Sequence, residues 1–183
     1  MGRVVAVCGL PGSGKGVFCS QAAARNIPIL SMGDVVRAEV TARGLKESPE
    51  NVGRVAMQLR TIFGEDVIAE RLVNEILIVL NTEPLIIIDG IRSLDEYTHF
   101  SERIDNISLL SIIASREIRK KRISQRGRGE DGGDIDFDIR EARELEWGIE
   151  ILIEISDDSI VNESSLEDAK ERFGEWLEVN ASD

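Results

Sequence analysis

Aliphatic runs alternate with segments of helical periodicity along most of this 183-residue chain. Residues 3–8, 84–89 and 107–115 are mainly aliphatic, and residues 27–30 and 158–161 are shorter candidates of the same kind. A strand that is apolar at consecutive positions is typical of a parallel sheet covered on both faces, because neither side of such a strand meets water. The alternation therefore predicts a three-layer α/β/α domain around a parallel sheet of mostly five strands.

Capping signals between these runs predict where helices begin and end. Ser48 followed by proline is typical of a helix start, and the capping-box pattern occurs at Ser93 with Glu96 and again at Ser164 with Glu167. We expect Gly64 to end one helix and a second helix to cover residues 66–80. Because no linker or repeat interrupts the pattern, residues 1–183 are expected to form one domain.

The charge of the chain narrows the range of its partners. A formal charge of −12 and a sequence pI near 4.7 give a surface that repels phosphate backbones and anionic lipids. We therefore expect neither nucleic acid nor a membrane as a partner. The N-terminus lacks a secretory signal pattern, and Cys8, Cys19 and His99 lack the spacing of a zinc site or a disulfide framework. These features favour a cytoplasmic protein, and its oligomeric state is left open.

The first predicted strand runs directly into the sequence GLPGSGKG. Its glycines allow the backbone to curl so that successive N–H groups point at an anion, and the following helix N-terminus adds positive potential. With Lys15 placed to bridge outer phosphates, the order of strand, loop and helix predicts a phosphate-binding loop rather than a plain glycine-rich turn. The loop and its extension comprise Gly9, Leu10, Pro11, Gly12, Ser13, Gly14, Lys15, Gly16 and Val17.

The hydroxyl residue that usually follows the lysine and contacts magnesium is missing, since Gly16 and Val17 stand there. Two carboxylates at predicted strand ends offer another way to hold the ion. Asp89 ends the third strand, where an NTPase places the acid that orders hydrated magnesium, and Asp34 follows the second strand. We expect both to hold Mg²⁺ through water. The simpler alternatives are that Asp34 lies in the first turn of a helix capped by Ser31 and that Asp89 only forms a turn.

Arginines cluster around a charged, glycine-rich segment after the fourth strand. Three of them recur at spacings of three and four and so share one helix face: Arg119, Arg122 and Arg126. An arginine stripe beside a mobile loop can close over transferring phosphates and neutralise their charge. Two further arginines follow the segment, Arg140 and Arg143, and they either face the loop from the other side or form surface pairs with acids such as Glu144 and Glu146.

The series GLPGSGKG, SMGDVVR, DGIR, the arginine-rich stretch and IREAR resembles the nucleoside monophosphate kinase superfamily of P-loop proteins, adenylate kinase above all. It is similar in particular to a family of archaeal proteins described as adenylate-kinase-related. The matching motifs cover nearly the whole chain. The resemblance implies a P-loop kinase fold with a helical acceptor-binding excursion at residues 31–64 and a short lid at residues 127–138.

The resemblance also implies roles for individual residues. The residues from Gly9 to Val17 would bind ATP, with Lys15 on its β- and γ-phosphates and Asn162 near the donor base. Arg37 and Arg92 would grip the phosphate of the acceptor, close to Asp34. A last group would surround the phosphoryl group in flight, and it consists of Arg122, Arg126, Arg140 and Arg143.

The implied reaction is in-line transfer of the γ-phosphoryl group of Mg-ATP to a small AMP-like nucleotide. The chain departs from adenylate kinases in three places: Val17 replaces a threonine, the D-G-x-P-R motif is one residue shorter at Asp89, and the glutamine that reads the acceptor adenine has no clear counterpart. Its IVNESSL segment is also similar to dephospho-coenzyme A kinases. Two alternatives stay open: a kinase acting on a coenzyme precursor's ribose hydroxyl with Asp34 as base, and a nucleotide-binding regulator or weak ATPase without an acceptor.

Overall fold

In the computed structural model, which describes residues 2–126 and 133–181, five strands form one parallel sheet. They are β1 (Arg3–Cys8), β2 (Ile29–Ser31), β3 (Leu85–Asp89), β4 (Ile107–Ile113) and β5 (Asp158–Val161). Their spatial order is β2-β3-β1-β4-β5. β1 pairs with β3 on one side and β4 on the other, so the strand that leads into the glycine loop lies at the centre of the sheet. The predicted parallel sheet is confirmed.

Helices cover both faces of the sheet. Those described are α1 (Lys15–Ala23), α2 (Met32–Ala42), α3 (Pro49–Phe63), α4 (Val67–Val79), α5 (Leu94–Ser101), α6 (Arg116–Arg126), α7 (Gly133–Glu146), α8 (Ile149–Ile155) and α9 (Leu166–Ala181). Alternate residues of β1 face opposite layers, because side chains of a strand alternate. Val4 and Ala6 pack with residues of α2 to α5 and of α8, whereas Val5 and Val7 pack with α1 and α9. The three-layer α/β/α architecture is confirmed.

The capping signals place most helix starts correctly and one of them a residue too early. The Ser48 hydroxyl accepts a hydrogen bond from the Asn51 N–H, and α3 begins at the proline that follows Ser48. At α9 the reciprocal box joins Ser165 and Asp168, not Ser164 and Glu167. The carbonyl of Ser164 instead accepts a hydrogen bond from Arg122, which holds this residue outside the helix.

The second half of the segment predicted as a lid loop is helical. Of residues 127–138, residues 133–138 belong to α7, and residues 127–132 lie outside the described part of the chain. Tertiary contacts explain the helix. Phe137 is buried beneath the guanidinium groups of Arg116 and Arg119, at 5.5 and 5.6 Å from its ring, and Asp138 pairs with Arg116 at 2.6 Å. Such contacts override the weak helix preference of glycine and aspartate.

A buried ion pair anchors α3 to the segment that follows β3. Arg60 of α3 donates to Glu96 of α5 at 2.5 Å, and both side chains are almost fully buried. The second oxygen of Glu96 accepts the backbone N–H of Arg92 at 2.8 Å. This carboxylate therefore ties the helical excursion to the residues at the carboxyl end of β3. Among the described helices, none has a stretch that is both long and apolar enough to cross a bilayer.

Replacing Glu96 by alanine tests how much this anchor contributes to stability. Glu96→Ala should lower the free energy of unfolding by about 3–5 kcal/mol, because Arg60 would be left buried and unpaired. Urea denaturation measures the loss. Glu102→Ala is the control, since Glu102 is exposed at the end of the same helix, and it should cost no more than about 0.5 kcal/mol. Equal small losses for the two variants would contradict the anchoring role.

Candidate functional site

The glycine loop occupies the turn between the central strand β1 and helix α1. Gly12 and Gly14 have φ angles of 81° and 115°, which side chains rarely adopt, so the chain turns here because glycine permits it. A Cβ atom on Gly12 would lie only 2.6 Å from the carbonyl oxygen of Arg119, so α6 also approaches the loop too closely for a side chain. Because α1 begins at Lys15, its N-terminal N–H groups lie at this loop.

Arg119 is buried and supports the glycine loop through hydrogen bonds to backbone carbonyl oxygens. Its side chain is 4% exposed, and it donates to the carbonyl oxygens of Pro11 at 3.1 Å and of Ala114 at 3.0 Å. Its remaining amino group donates to Glu141 of α7 at 2.5 Å. α6 and α7, the two helices that flank residues 127–132, are thereby joined to each other and to the loop.

Asn162 and Arg122 hold the other side of the loop. The buried Asn162 amide donates to the Ser13 carbonyl at 2.8 Å. Arg122 donates to the Asn162 carbonyl at 3.0 Å and to the Ser13 carbonyl at 3.4 Å. The structure thus gives both side chains contacts with the protein backbone. The expected contact of Asn162 with a donor base and of Arg122 with a transferred phosphate stay predictions.

Cationic side chains from four separate elements line one cavity of about 190 Å³ beside the loop. They are Lys15, Arg37, Arg92 and Arg140. Lys15 donates to the carbonyl oxygens of Gly9 and Leu10. Burial lowers the pKa of Lys15, and the carboxylates of Glu144 and Asp89 oppose that shift. A small cavity lined by these cations suits phosphate groups, and we call it the phosphate cavity.

A buried carboxylate lies behind two of these cations. Glu144 of α7 is 2% exposed and accepts hydrogen bonds from Arg92 at 3.3 Å and from Arg140 at 3.2 Å. Burial alone would raise the pKa of Glu144, but the two arginines hold it below its ordinary value. Burial would likewise lower the pKa of Arg92, and Glu144 with its neighbouring acids raises it instead. The pairing thus favours the charged forms of Glu144 and Arg92.

The remaining arginines of the predicted set lie elsewhere. Arg143 lies over the ring of Trp147, 5.3 Å from its centre, and against the backbone of Gly53 in α3, where there is no space for a Cβ atom. Burial lowers the pKa of Arg143. The structure therefore brings Arg143 to α3 and not into the lining of the phosphate cavity. The side chain of Arg126 lies outside the described part of the chain.

Asp34 and Arg37 belong to one helical turn but reach different spaces. Arg37 lines the phosphate cavity, and its Nε donates to Asp34 Oδ1 at 3.0 Å. Asp34 itself is 70% exposed and lines a neighbouring groove between β2, α2 and α4. Ser31 is the N-cap residue of α2 but makes no side-chain capping bond. The structure thus brings Arg37 to the predicted site and leaves the Asp34 carboxylate at its outer edge.

Asp89 is the acid that the structure does place in the cavity. It ends β3, lines the same cavity as Lys15, and its Oδ1 atom is buried without a hydrogen-bond partner among the described residues. The thiol of Cys19 lies next to it, and burial together with the Asp89 charge raises the pKa of that thiol. A buried carboxylate oxygen that is left free beside a phosphate loop fits a hydrated magnesium ion.

Sequence comparisons identify the family of the chain. A family model described as an AAA domain matches residues 8–137. A UPF0200 protein from Methanosarcina barkeri is 39% identical over 177 residues, which cover 96% of this chain and 94% of that protein. A UPF0200 protein from Thermococcus gammatolerans is 34% identical over 178 residues, with the same coverage of 96% and 94%. The chain belongs to the UPF0200 family.

Solved structures show which fold this UPF0200 chain shares. The protein TT1252 from Thermus thermophilus superimposes with a TM-score of 0.62 at 19% identity, covering 97% of each chain. A sugar kinase from Janibacter sp. HTCC2649 superimposes with a TM-score of 0.57 at 18% identity, covering 100% of this chain and 98% of its own. At such identities the likeness shows the fold alone. The UPF0200 chain has a P-loop kinase-like α/β fold, as the resemblance to nucleoside monophosphate kinases implied.

Sequence reasoning missed the buried acids of α7. Glu144 was considered only as a surface partner, and Glu141 was not considered. A signal existed, because both lie on the same helix face as Phe137, four and seven residues after this buried aromatic side chain. An acid on an apolar face is rarely buried unless it is paired, and here arginines from other elements supply the partners.

Removing the Asn162 side chain tests the support of the UPF0200 loop. Asn162→Ala should weaken ATP binding by about tenfold and lower stability by about 1–3 kcal/mol, because the Ser13 carbonyl loses its buried donor. Calorimetric titration with Mg-ATP and thermal unfolding measure the two effects. Asn81→Ala, at an exposed position after α4, is the control and should change neither. Unaltered ATP affinity in Asn162→Ala would contradict the supporting role.

Proposed function

We propose that this UPF0200 chain is a small-molecule kinase that transfers the γ-phosphoryl group of Mg-ATP to an AMP-like nucleotide. The observation that carries the proposal is the convergence of four cationic side chains on one cavity beside the glycine loop: Lys15, Arg37, Arg92 and Arg140. They come from α1, α2, the segment after β3, and α7. Binding of one nucleotide needs the loop and its lysine, whereas phosphate groups of two substrates need cations on more than one side.

The roles proposed for these cations are those that the resemblance to nucleoside monophosphate kinases implies, and their shared cavity supports them. The loop N–H groups and Lys15 would hold the outer phosphates of the donor, and Arg37 with Arg92 would hold the acceptor phosphate. Arg140 would neutralise charge on the group that moves between them. When bound, Mg²⁺ would neutralise charge on the donor phosphates, and Asp89 would hold it through water. Positioning and charge neutralisation supply the rate enhancement, so the chain needs no nucleophile of its own.

The place of Asp34 favours a phosphate acceptor over a hydroxyl acceptor. A phosphate monoester has a second pKa of about 6, so it is already an anionic nucleophile at neutral pH and needs no general base. A ribose hydroxyl would need one. Asp34, the candidate base, is paired with Arg37 and lines the neighbouring groove. This arrangement supports the AMP-like acceptor against the ribose hydroxyl of a coenzyme precursor.

An acceptor panel tests the proposed function. Purified protein with Mg-ATP should form ADP when an AMP-like monophosphate is present, with the phosphoryl group recovered on that acceptor. A panel of nucleoside monophosphates and dephospho-coenzyme A, with Lys15→Ala as the inactive control, measures this by chromatography. Transfer to dephospho-coenzyme A alone would support the alternative kinase. ADP formation independent of any acceptor, or none with any compound, would contradict both kinase functions.

Substituting Asp89 tests its proposed magnesium role. Asp89→Asn should lower phosphoryl transfer by at least about 100-fold while ATP binding remains measurable, because the carboxylate charge that orders the hydrated ion is lost. Asp95→Asn, at an exposed position in the first turn of α5, is the matched control. Turnover that is unchanged in Asp89→Asn would remove this residue from the metal site.

A further inference from the structure

Glu144 of α7 is the carboxylate that joins the segment after β3 to α7. Its Oε1 atom accepts from Nε of Arg92, at 3.3 Å, and from Nε of Arg140, at 3.2 Å. Arg92 belongs to the segment after β3, whereas Arg140 lies one turn before Glu144 in α7. A single buried oxygen thus determines where two arginines from different elements stand relative to each other.

The geometry of the two contacts keeps the arginines available to a ligand. Both guanidinium groups contact Glu144 through Nε, which is the nitrogen nearest the backbone. Both side chains line the phosphate cavity. A guanidinium group is planar, so a contact at Nε restricts the orientation of its two terminal amino groups without occupying them, and those groups bind phosphate oxygens in pairs.

Other buried acid–arginine pairs in the described residues act differently. Glu141 pairs with Arg119, which supports the loop from below, and Glu96 pairs with Arg60, which anchors α3. Neither of those arginines lines the phosphate cavity. Glu144 is therefore set apart by the partners that it holds, and not by burial alone.

Glu144 offsets the electrostatic repulsion between the cations of the cavity. Arg92, Arg140 and Lys15 carry like charges around one small cavity and repel one another at low effective dielectric constant. All three lie within electrostatic reach of Glu144. Without this carboxylate, the two arginines would separate or turn toward solvent, and their terminal amino groups would lose their fixed positions relative to each other.

We propose that Glu144 is a positioning residue that fixes Arg92, at the acceptor phosphate, relative to Arg140, at the transferred phosphoryl group. It thereby couples the grip on the acceptor to the position of α7. The proposal rests on the proposed kinase function and deepens it. The charge of Glu144 is necessary for the rate of phosphoryl transfer but not for the binding of phosphate. A merely structural acid would affect folding, binding and rate together.

Glu144→Gln separates these roles because it keeps the shape and removes the charge. Turnover with the acceptor found active should fall by about 10- to 100-fold, since a displacement of about 1 Å has such an effect on rate. Binding of magnesium pyrophosphate, measured by calorimetry, should change by less than about threefold or become tighter, because the cavity gains net positive charge. Glu146→Gln, exposed on the same helix, should change neither quantity. Unchanged turnover in Glu144→Gln, or parallel losses of turnover, pyrophosphate binding and thermal stability, would overturn the proposal.

A second variant and a readout without turnover keep the test decisive if Glu144→Gln folds poorly. Glu144→Asp keeps the charge but shortens the reach, so it should also lower turnover while pyrophosphate binding is kept, and wild-type turnover would overturn the proposal. Nitrogen-15 NMR of arginine Nε–H groups reports the contacts directly. Two protected Nε–H signals, assigned with Arg92→Lys and Arg140→Lys, should lose protection in Glu144→Asp and keep it in Glu146→Gln. Absence of these protected signals in the wild-type protein would overturn the positioning role, whereas absence of turnover with every acceptor would contradict only the kinase function.

Discussion

The structure depends on holding several positively charged side chains close together around one cavity. The phosphate cavity has a volume of about 190 Å³ and is lined by Lys15, Arg37, Arg92 and Arg140. Two unit charges 4 Å apart repel by about 4 kcal/mol at the dielectric constant typical of a protein surface. Carboxylates that do not line the cavity offset this repulsion: Asp34 pairs with Arg37, and Glu144 is shared by Arg92 and Arg140. The chain can therefore be strongly acidic overall and still present a positive cavity to phosphate.

The same kind of pairing also builds the frame around the cavity. Glu141 holds Arg119 beneath the glycine loop, and Glu96 holds Arg60 between α3 and the end of β3. The first pair joins α7 to α6 and the glycine loop, and the second joins α3 to α5 and to the segment after β3. Because an unpaired buried charge is so costly, these contacts specify how α3, α6 and α7 stand relative to β1 and β3. The positions of the cavity arginines follow from that frame.

The sheet and its helices could be predicted because their signals are local. The apolar run at residues 84–89 corresponds to a strand at Leu85–Asp89, and residues 66–80 contain the helix Val67–Val79. The glycine loop and Asp89 were found in the same way, since parallel strands end at one edge of the sheet. The arginines were harder, because helical spacing shows which residues share a face but not which face is buried. The spacing could not show that Arg119 and Arg143 lie away from the cavity. The burial of Glu144 could not be predicted either, because it depends on contacts with arginines, one of which belongs to another element.

A structure of the protein with Mg-ADP, aluminium fluoride and AMP tests the central claim most directly, because the fluoride complex mimics a phosphoryl group between donor and acceptor. The account predicts that the fluoride ligands lie in the cavity and contact Lys15 and Arg140, that the AMP phosphate contacts Arg37 and Arg92, and that Arg92 and Arg140 still share Glu144. Fluoride bound beside the loop without a contact to Arg140, or an acceptor phosphate bound away from Arg92, would contradict it.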